Sequence, residues 1–298
     1  MKNTKYYLAA ITAFIIWGFF SLVLKPLHPY ASLDILFYRV FLCSVLLLLI
    51  TLGFRQKQLR ESMAFFRALP TKIKRRTVLL NVAGGMLLAV NWFSFIYVMN
   101  HVNVKAASLA YLVCPILTTI LAHFILHEKL KKLQWLSVAL SISGCVLLSY
   151  ANLMDMVFSL SVGLSYALYL ITQRENTGFD KIIVLTFQIV LSGILLLPFY
   201  PAYSSGIPTA FDFYFYIGII AVGFTIIPLF LNLYALKGIN SSTIGMLLNI
   251  NPIIGFVLAA YVYHEQMSLT QIVAYGIIFI AVLTFNAPLF LKKKEGVE

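Results

Sequence analysis

Long uninterrupted apolar runs, rather than alternation, set the pattern of this chain. Ten of them lie near residues 5–24, 33–54, 77–98, 104–126, 133–151, 156–173, 181–202, 211–236, 241–262 and 269–291, separated by short polar breaks. A helix needs about 20 apolar residues to cross a hydrocarbon core, and each run is close to that length. Strands of a membrane barrel would alternate apolar and polar over about ten residues, so a β-barrel does not fit. The pattern predicts an all-α integral membrane protein with ten transmembrane helices. The N-terminal "MKNTKYYLAAITAF" has a short basic flank, a long apolar run and no small-residue cleavage site, and reads as an uncleaved first span.

Composition agrees: 61% of residues are hydrophobic and 11% charged, which excludes an ordinary soluble domain. Cys43, Cys114 and Cys145 all fall inside apolar runs, where packing is a better account than disulfides or redox chemistry. The net charge of +12 raises the question of nucleic acid, and the placement of the basic residues answers it. With both termini in the cytoplasm, 19 of the 22 Lys and Arg residues fall on the cytoplasmic side, leaving only Lys25, Arg39 and Lys105. This is the positive-inside pattern, with anionic lipid rather than nucleic acid as the partner of the charge. The implied arrangement is a multi-pass membrane protein with both termini in the cytoplasm. In the second loop, Leu59, Met63 and Phe66 stand at helical spacing among charges; a short interfacial helix and an irregular solvated loop both fit.

One segment is written twice. "SLAYLVCPILTTILAHFILHE" from Ser108 and "GMLLNINPIIGFVLAAYVYHE" from Gly245 align at an offset of 137 residues, placing Pro115 on Pro252, His127 on His264 and Glu128 on Glu265. Runs 1 and 2 match runs 6 and 7 more weakly at an offset of 149, with Lys25 on Arg174 and Arg39 on Gln188. Because five spans separate the copies, the second is inverted. The chain reads as a 5+5 inverted-topology repeat, 1–151 and 152–298, in one membrane domain. Such repeats suit secondary transporters, whose halves exchange conformations to open on alternate sides.

The segments "IIWGFFSLVLKPL", "LDILFYRVFLCS", "AVNWFSFIYVMN", "KAASLAYLVCPILTTILAHFILHEKLKKLQWLSVAL" and "SSTIGMLLNINPIIGFVLAAYVYHE" resemble the EamA-type transporters of the drug/metabolite transporter superfamily, and within it the RarD-like branch. The resemblance spans nearly the whole chain. It implies a bacterial inner-membrane permease with ten helices, a central cavity lined by spans 1, 3, 4, 6, 8 and 9, and export or exchange of small metabolites or drug-like solutes. Ala106 and Cys114 stand where that branch carries an acidic residue and an Asn, so its substrate and coupling do not transfer.

Pro115 and Pro252 fall near the middle of their runs, where each removes a helical hydrogen bond and frees a carbonyl; both are expected as kinks. Ser242, Gly245, Asn249, Pro252 and Phe256 share one helical stripe, as do Lys105, Ser108, Leu112, Pro115 and Thr119, with Tyr111 beside the second. Trp17, Asn91, Trp92, Ser108, Tyr111, Tyr166, Asn232, Ser242 and Asn249 are the expected solute-binding residues, amphipathic groups suited to a mostly apolar pocket. Arg39 fits three roles: a bidentate site for an anionic solute, a gate contact to Asp34 or a carbonyl, or snorkelling to headgroups. Lys105 fits either snorkelling or anion attraction. The His127–Glu128 and His264–Glu265 pairs are too sparse for a metal site and read as turn caps.

No carboxylate reaches the middle of a run, which disfavours proton coupling and points to a uniporter or exchanger. Walker, G-x-S-x-G and H-E-x-x-H motifs are absent, so neither an enzyme nor a cofactor is expected. A membrane-embedded interaction or signalling protein is the alternative to a carrier. Nothing in the sequence sets an oligomeric state, and a monomer is sufficient.

Overall fold

The computed structural model describes residues 3–101, 104–149, 153–264 and 268–291. Among these residues the elements are helical. In order they are α1 (Thr4–Gly18), α2 (Phe20–Leu24), α3 (Ser32–Leu49), α4 (Gln56–Ala68), α5 (Thr71–His101), α6 (Val104–Ile125), α7 (Lys132–Ser149), α8 (Leu153–Glu175), α9 (Lys181–Leu196), α10 (Tyr200–Tyr203), α11 (Phe211–Ala221), α12 (Ile227–Ala235), α13 (Ser241–Leu247), α14 (Ile250–Tyr261) and α15 (Leu269–Leu291). Among the described residues, seven stretches are long and apolar enough to cross a membrane: Thr4–Leu27, Ser32–Phe54, Thr71–Phe95, Lys181–Tyr203, Phe211–Ala235, Ser241–Leu258 and Leu269–Ala287. Ala110–Ile125 and Lys132–Leu148 are shorter apolar helices among the described residues.

Two expectations are refined. The helix of run 3 begins at Thr71 rather than near 77, because Lys72, Lys74, Arg75 and Arg76 are good helix formers that continue α5 past its apolar part. The segment after run 2 is the helix α4, not an irregular loop.

The termini of the helices gather at two ends. At one, Arg55 pairs with Asp180 at 3.0 Å and Arg76 with Glu175, while Asp180 also caps α9 by accepting the Ile182 and Ile183 N–H groups. This is the basic end. At the other, the Asp34 carboxylate accepts the Ser205 N–H at 3.2 Å, the Tyr38 and Tyr200 hydroxyls meet at 3.0 Å, and the Lys25 ammonium lies 4.7 Å from the centre of the Tyr263 ring.

The packing pairs cross the two sequence halves: α3 lies on α9, α7 on α15, α6 on α13, α5 on α8, and α1 on α12. Apolar burial gives helices in lipid little reason to associate, so close approach of small residues carries much of the packing. Gly245 is such a point: a Cβ there would stand 2.8 Å from Thr118 Cβ and 3.3 Å from the Pro115 carbonyl oxygen. Gly18 plays the same part for α1 against Ile254 of α14, at 2.7 Å.

Candidate functional site

The site is built where helices fail to run regularly. Between α11 and α12 the chain widens into one π-helical turn, Val222–Ile226, which loosens the backbone ladder; Trp17 of α1 donates its indole N–H to the Phe224 carbonyl in that turn at 2.8 Å. The same indole meets the Tyr166 ring edge-on, with centroids 6.2 Å apart, and Tyr166 stands 5.6 Å from Tyr169. Asn232 of α12 donates its amide to the Tyr166 hydroxyl at 3.0 Å. A Trp–Tyr–Asn constellation from α1, α8 and α12 is therefore one packed unit.

Asn91 is buried in α5 and binds the Val162 carbonyl at 2.9 Å and the Ser165 hydroxyl at 3.1 Å, which fixes α5 on α8. Its neighbour Trp92 lies under the Arg39 guanidinium, 5.2 Å from ring centre to Cζ. Asp34, the gate partner considered for Arg39, bonds the Ser205 N–H instead. The Arg39 Nε is buried with no hydrogen-bond partner among the described residues, as are Asn232 Oδ1, Asn249 Oδ1 and the Tyr169 hydroxyl. An unmet buried polar atom costs about 1–3 kcal/mol, so these atoms are natural points for water or a solute to bind. Tyr111 is half-buried beside Phe95, with ring centroids 5.2 Å apart. The side chains of Lys105 and Ser108 lie outside the described residues.

Span 9 departs from the expected stripe. It is broken between Leu247 and Ile250 into α13 and α14, so Ser242 and Asn249 do not continue on one regular face with Pro252 and Phe256. The cause is local: Pro252 cannot donate to the Leu248 carbonyl, which accepts the Asn251 N–H at 3.1 Å instead. Asn249 turns its own amide onto the Met246 carbonyl at 3.3 Å, competing with the ladder. Around Pro115 the helix stays continuous, and Thr118 and Thr119 bond back to the Cys114 and Pro115 carbonyls at 2.8 and 2.9 Å.

Ser242, expected to face solute, is held by Glu128, whose carboxylate takes its N–H at 3.0 Å and its hydroxyl at 2.6 Å, together with the Ser241 N–H at 2.8 Å. Glu128 thus caps a helix of the other half as well as ending α6, where the Glu128 N–H bonds the Ala122 carbonyl at 3.1 Å. His127 and His264 both turn the chain in the left-handed region, at φ 54° and 53°, a conformation that costs a non-glycine residue roughly 1–2 kcal/mol. Glu265 lies outside the described residues. No cluster of three or more His, Cys, Asp or Glu side chains close enough to hold a metal occurs among the described residues.

Comparison with known proteins gives these features a family. The profile of the EamA-like transporter family matches residues 4–150 and again residues 153–287. The uncharacterized transporter YojE of Bacillus subtilis (strain 168) is 26% identical over 92% of this chain and 91% of its own length. Protein RarD of Salmonella typhimurium is 26% identical, covering 93% of each chain, and protein RarD of Escherichia coli K12 is 25% identical over 93% of this chain and 92% of its own. A solved crystal structure shares the fold, with a TM-score of 0.75 at 13% identity over 96% of this chain and 98% of its own. These matches run end to end along the described helices and mark a membrane transporter rather than an enzyme, in line with the resemblance read from the Trp-Gly, Asn-Trp and Pro-to-His-Glu segments: the chain belongs to the EamA-like transporter family.

Proposed function

We propose that this protein carries small organic solutes, such as amino acids or drug-like metabolites, across the bacterial inner membrane by alternating access, as a uniporter or exchanger. The reading has ten spans in a 5+5 inverted repeat, with the basic end and both termini in the cytoplasm. One observation carries it. The duplicated segment occurs in two conformations in a single molecule, continuous through Pro115 and broken before Pro252. A carrier built from inverted repeats holds its two halves in different conformations at any moment and exchanges them to turn over. The twofold family match and the paired crossings of the helices support the repeat.

Unmet amide oxygens, a phenol and a guanidinium N–H beside two tryptophans supply hydrogen-bond positions in apolar surroundings, as a small-solute site needs. The site offers no carboxylate to replace the hydration of an organic cation, so neutral, zwitterionic or anionic solutes fit better. Purified protein in liposomes loaded with a panel of labelled amino acids and related metabolites tests the reading. Counterflow of at least one solute is expected; failure of the whole panel alongside a stoichiometric copurifying protein would favour the interaction reading instead.

A further inference from the structure

Helix α13 is capped by a residue 113 positions away rather than by its own neighbour. Asn240 occupies its N-cap position, and asparagine is among the strongest N-cap residues, yet its side chain makes no capping bond. The orphan N–H groups of Ser241 and Ser242 are taken by the two oxygens of Glu128, and the Ser242 hydroxyl adds a third bond at 2.6 Å. A carboxylate at a helix N-terminus is favoured both by the unpaired donors and by the helix dipole.

The same contact ties the two halves together at the basic end. Thr119 donates to the Ser242 carbonyl at 3.4 Å, Gly245 lies against Thr118, and Arg174 donates to the carbonyls of Leu236 and Ile239, just ahead of α13. Every residue from Ser241 to Asn249 is buried, whereas every residue from Ile250 to Phe256 is only half-buried. The basic half of this span is packed against protein on every side, and the other half is not.

We infer that Glu128 is a gating latch: it holds the end of α6 on α13 while the basic end is closed, and it lets go when that end opens, whereupon Asn240 takes over the cap. The inference rests on the alternating-access reading above. Its physical merit is that the Ser242 N–H has an acceptor in either state, Glu128 from the opposite half or the Asn240 side chain at the N-cap, while the Ser241 N–H meets the water that enters an open end. One donor with two alternative acceptors, one from the opposite half and one local, is what a bistable element requires. Glu128 acts here as a positioning residue; it sets which state is populated and does not have to touch solute.

The test uses the full-length protein with Cys43, Cys114 and Cys145 replaced and a single reporter, Thr119→Cys, inside the α6–α13 contact. Inside-out vesicles are treated with a membrane-impermeant maleimide. The Glu128→Ala variant is expected to label roughly tenfold faster than its parent, the shift that loss of a charge-assisted contact would bring, with Glu128→Gln in between. Asn240→Ala is expected to do the opposite, slowing both labelling and solute turnover by destabilising the open state. A merely structural role for Glu128 would not produce these opposed effects.

Unchanged labelling in a Glu128→Ala protein that elutes and melts like its parent would overturn the latch. Should that variant misfold, Glu128→Gln and Asn240→Ala carry the test, and parental labelling rates in both would overturn it equally. Because labelling needs no solute, the two readings separate. Altered labelling without transport of any solute would keep the latch and remove the transport reading; transport with unaltered labelling would do the reverse.

Discussion

The segments following Ser108 and Gly245 began from one pattern and ended as different structures. Each places a proline mid-span and ends in a histidine with left-handed backbone, φ 54° at His127 and 53° at His264. The first copy nonetheless runs unbroken from Val104 to Ile125, and the second is split before Ile250. What differs is the residue three positions ahead of each proline. Leu112 packs among apolar neighbours in the first copy, while Asn249 in the second bonds the Met246 carbonyl and opens the ladder. After the proline, the first copy has Thr118 and Thr119, which bond back along the helix, and the second has Gly255 and Phe256, which do not provide hydroxyls. A proline alone therefore does not break a membrane helix; it breaks where a neighbouring side chain competes for the freed carbonyls.

The comparison can be broken most forcefully at Gly245. A leucine there would drive into Thr118 and the Pro115 carbonyl, and overpacking of this kind costs about 1–3 kcal/mol. Gly245→Leu is expected to lower solute counterflow more than about tenfold, and Gly18→Leu by a similar factor, because a Cβ at Gly18 would stand 2.7 Å from the Cβ of Ile254, a β-branched side chain with little room to yield. Next in size, Asn249→Ala should reduce transport several-fold, roughly 3- to 10-fold, and more than Asn251→Ala, since Asn249 is buried at the break and Asn251 is half-buried beyond it. Counterflow rates of the two variants at matched expression decide the order.

Exchanging the prolines sharpens the same contrast. Pro252→Ala allows the ladder to re-form across the break, and Pro115→Ala removes the same freedom from the copy that must break in the opposite state, so each should slow turnover by roughly 2- to 5-fold. Parental turnover in Pro115→Ala beside a loss in Pro252→Ala would mean that the first copy stays continuous and the two do not exchange. Smallest of all is the effect expected from protons: with no carboxylate at the centre of a span, an imposed pH gradient should alter uptake by less than about twofold. Accumulation driven by a pH gradient and abolished by a protonophore would reveal a titrating group. On the same scale, Lys105→Ala should weaken anionic solutes selectively where that lysine reaches the pathway.

Hydropathy located the helices well because span length is imposed by the bilayer, not by tertiary detail. The start of α5 at Thr71 was the main departure, since basic residues that leave the apolar run remain good helix formers. The amphipathic spacing of Leu59, Met63 and Phe66 left helix and loop equally open, and α4 resolves it. Asn91 needed a partner by the general rule for buried amides, but nothing local pointed to Val162 and Ser165, more than 70 positions away. The Trp17 bond to Phe224 was illegible for a further reason: the acceptor is a backbone carbonyl exposed by a π-helical turn that no motif announces. For Glu128 a signal is visible in sequence, since the His-Glu pair recurs at the end of both copies, but on its own it points only to a local turn cap. The missing fact was spatial, that the end of α6 lies on the start of α13.

Alternating exchange between the two copies is the central claim, and distances at the two ends test it most directly. Spin labels at the exposed positions Lys129 and Lys237 report the basic end, and labels at the exposed positions His28 and Tyr261 report the opposite one. In reconstituted protein, a transported solute should shift both distance distributions, one shortening as the other lengthens. Solute transport with both distributions fixed, or with both moving in the same direction, would contradict the account.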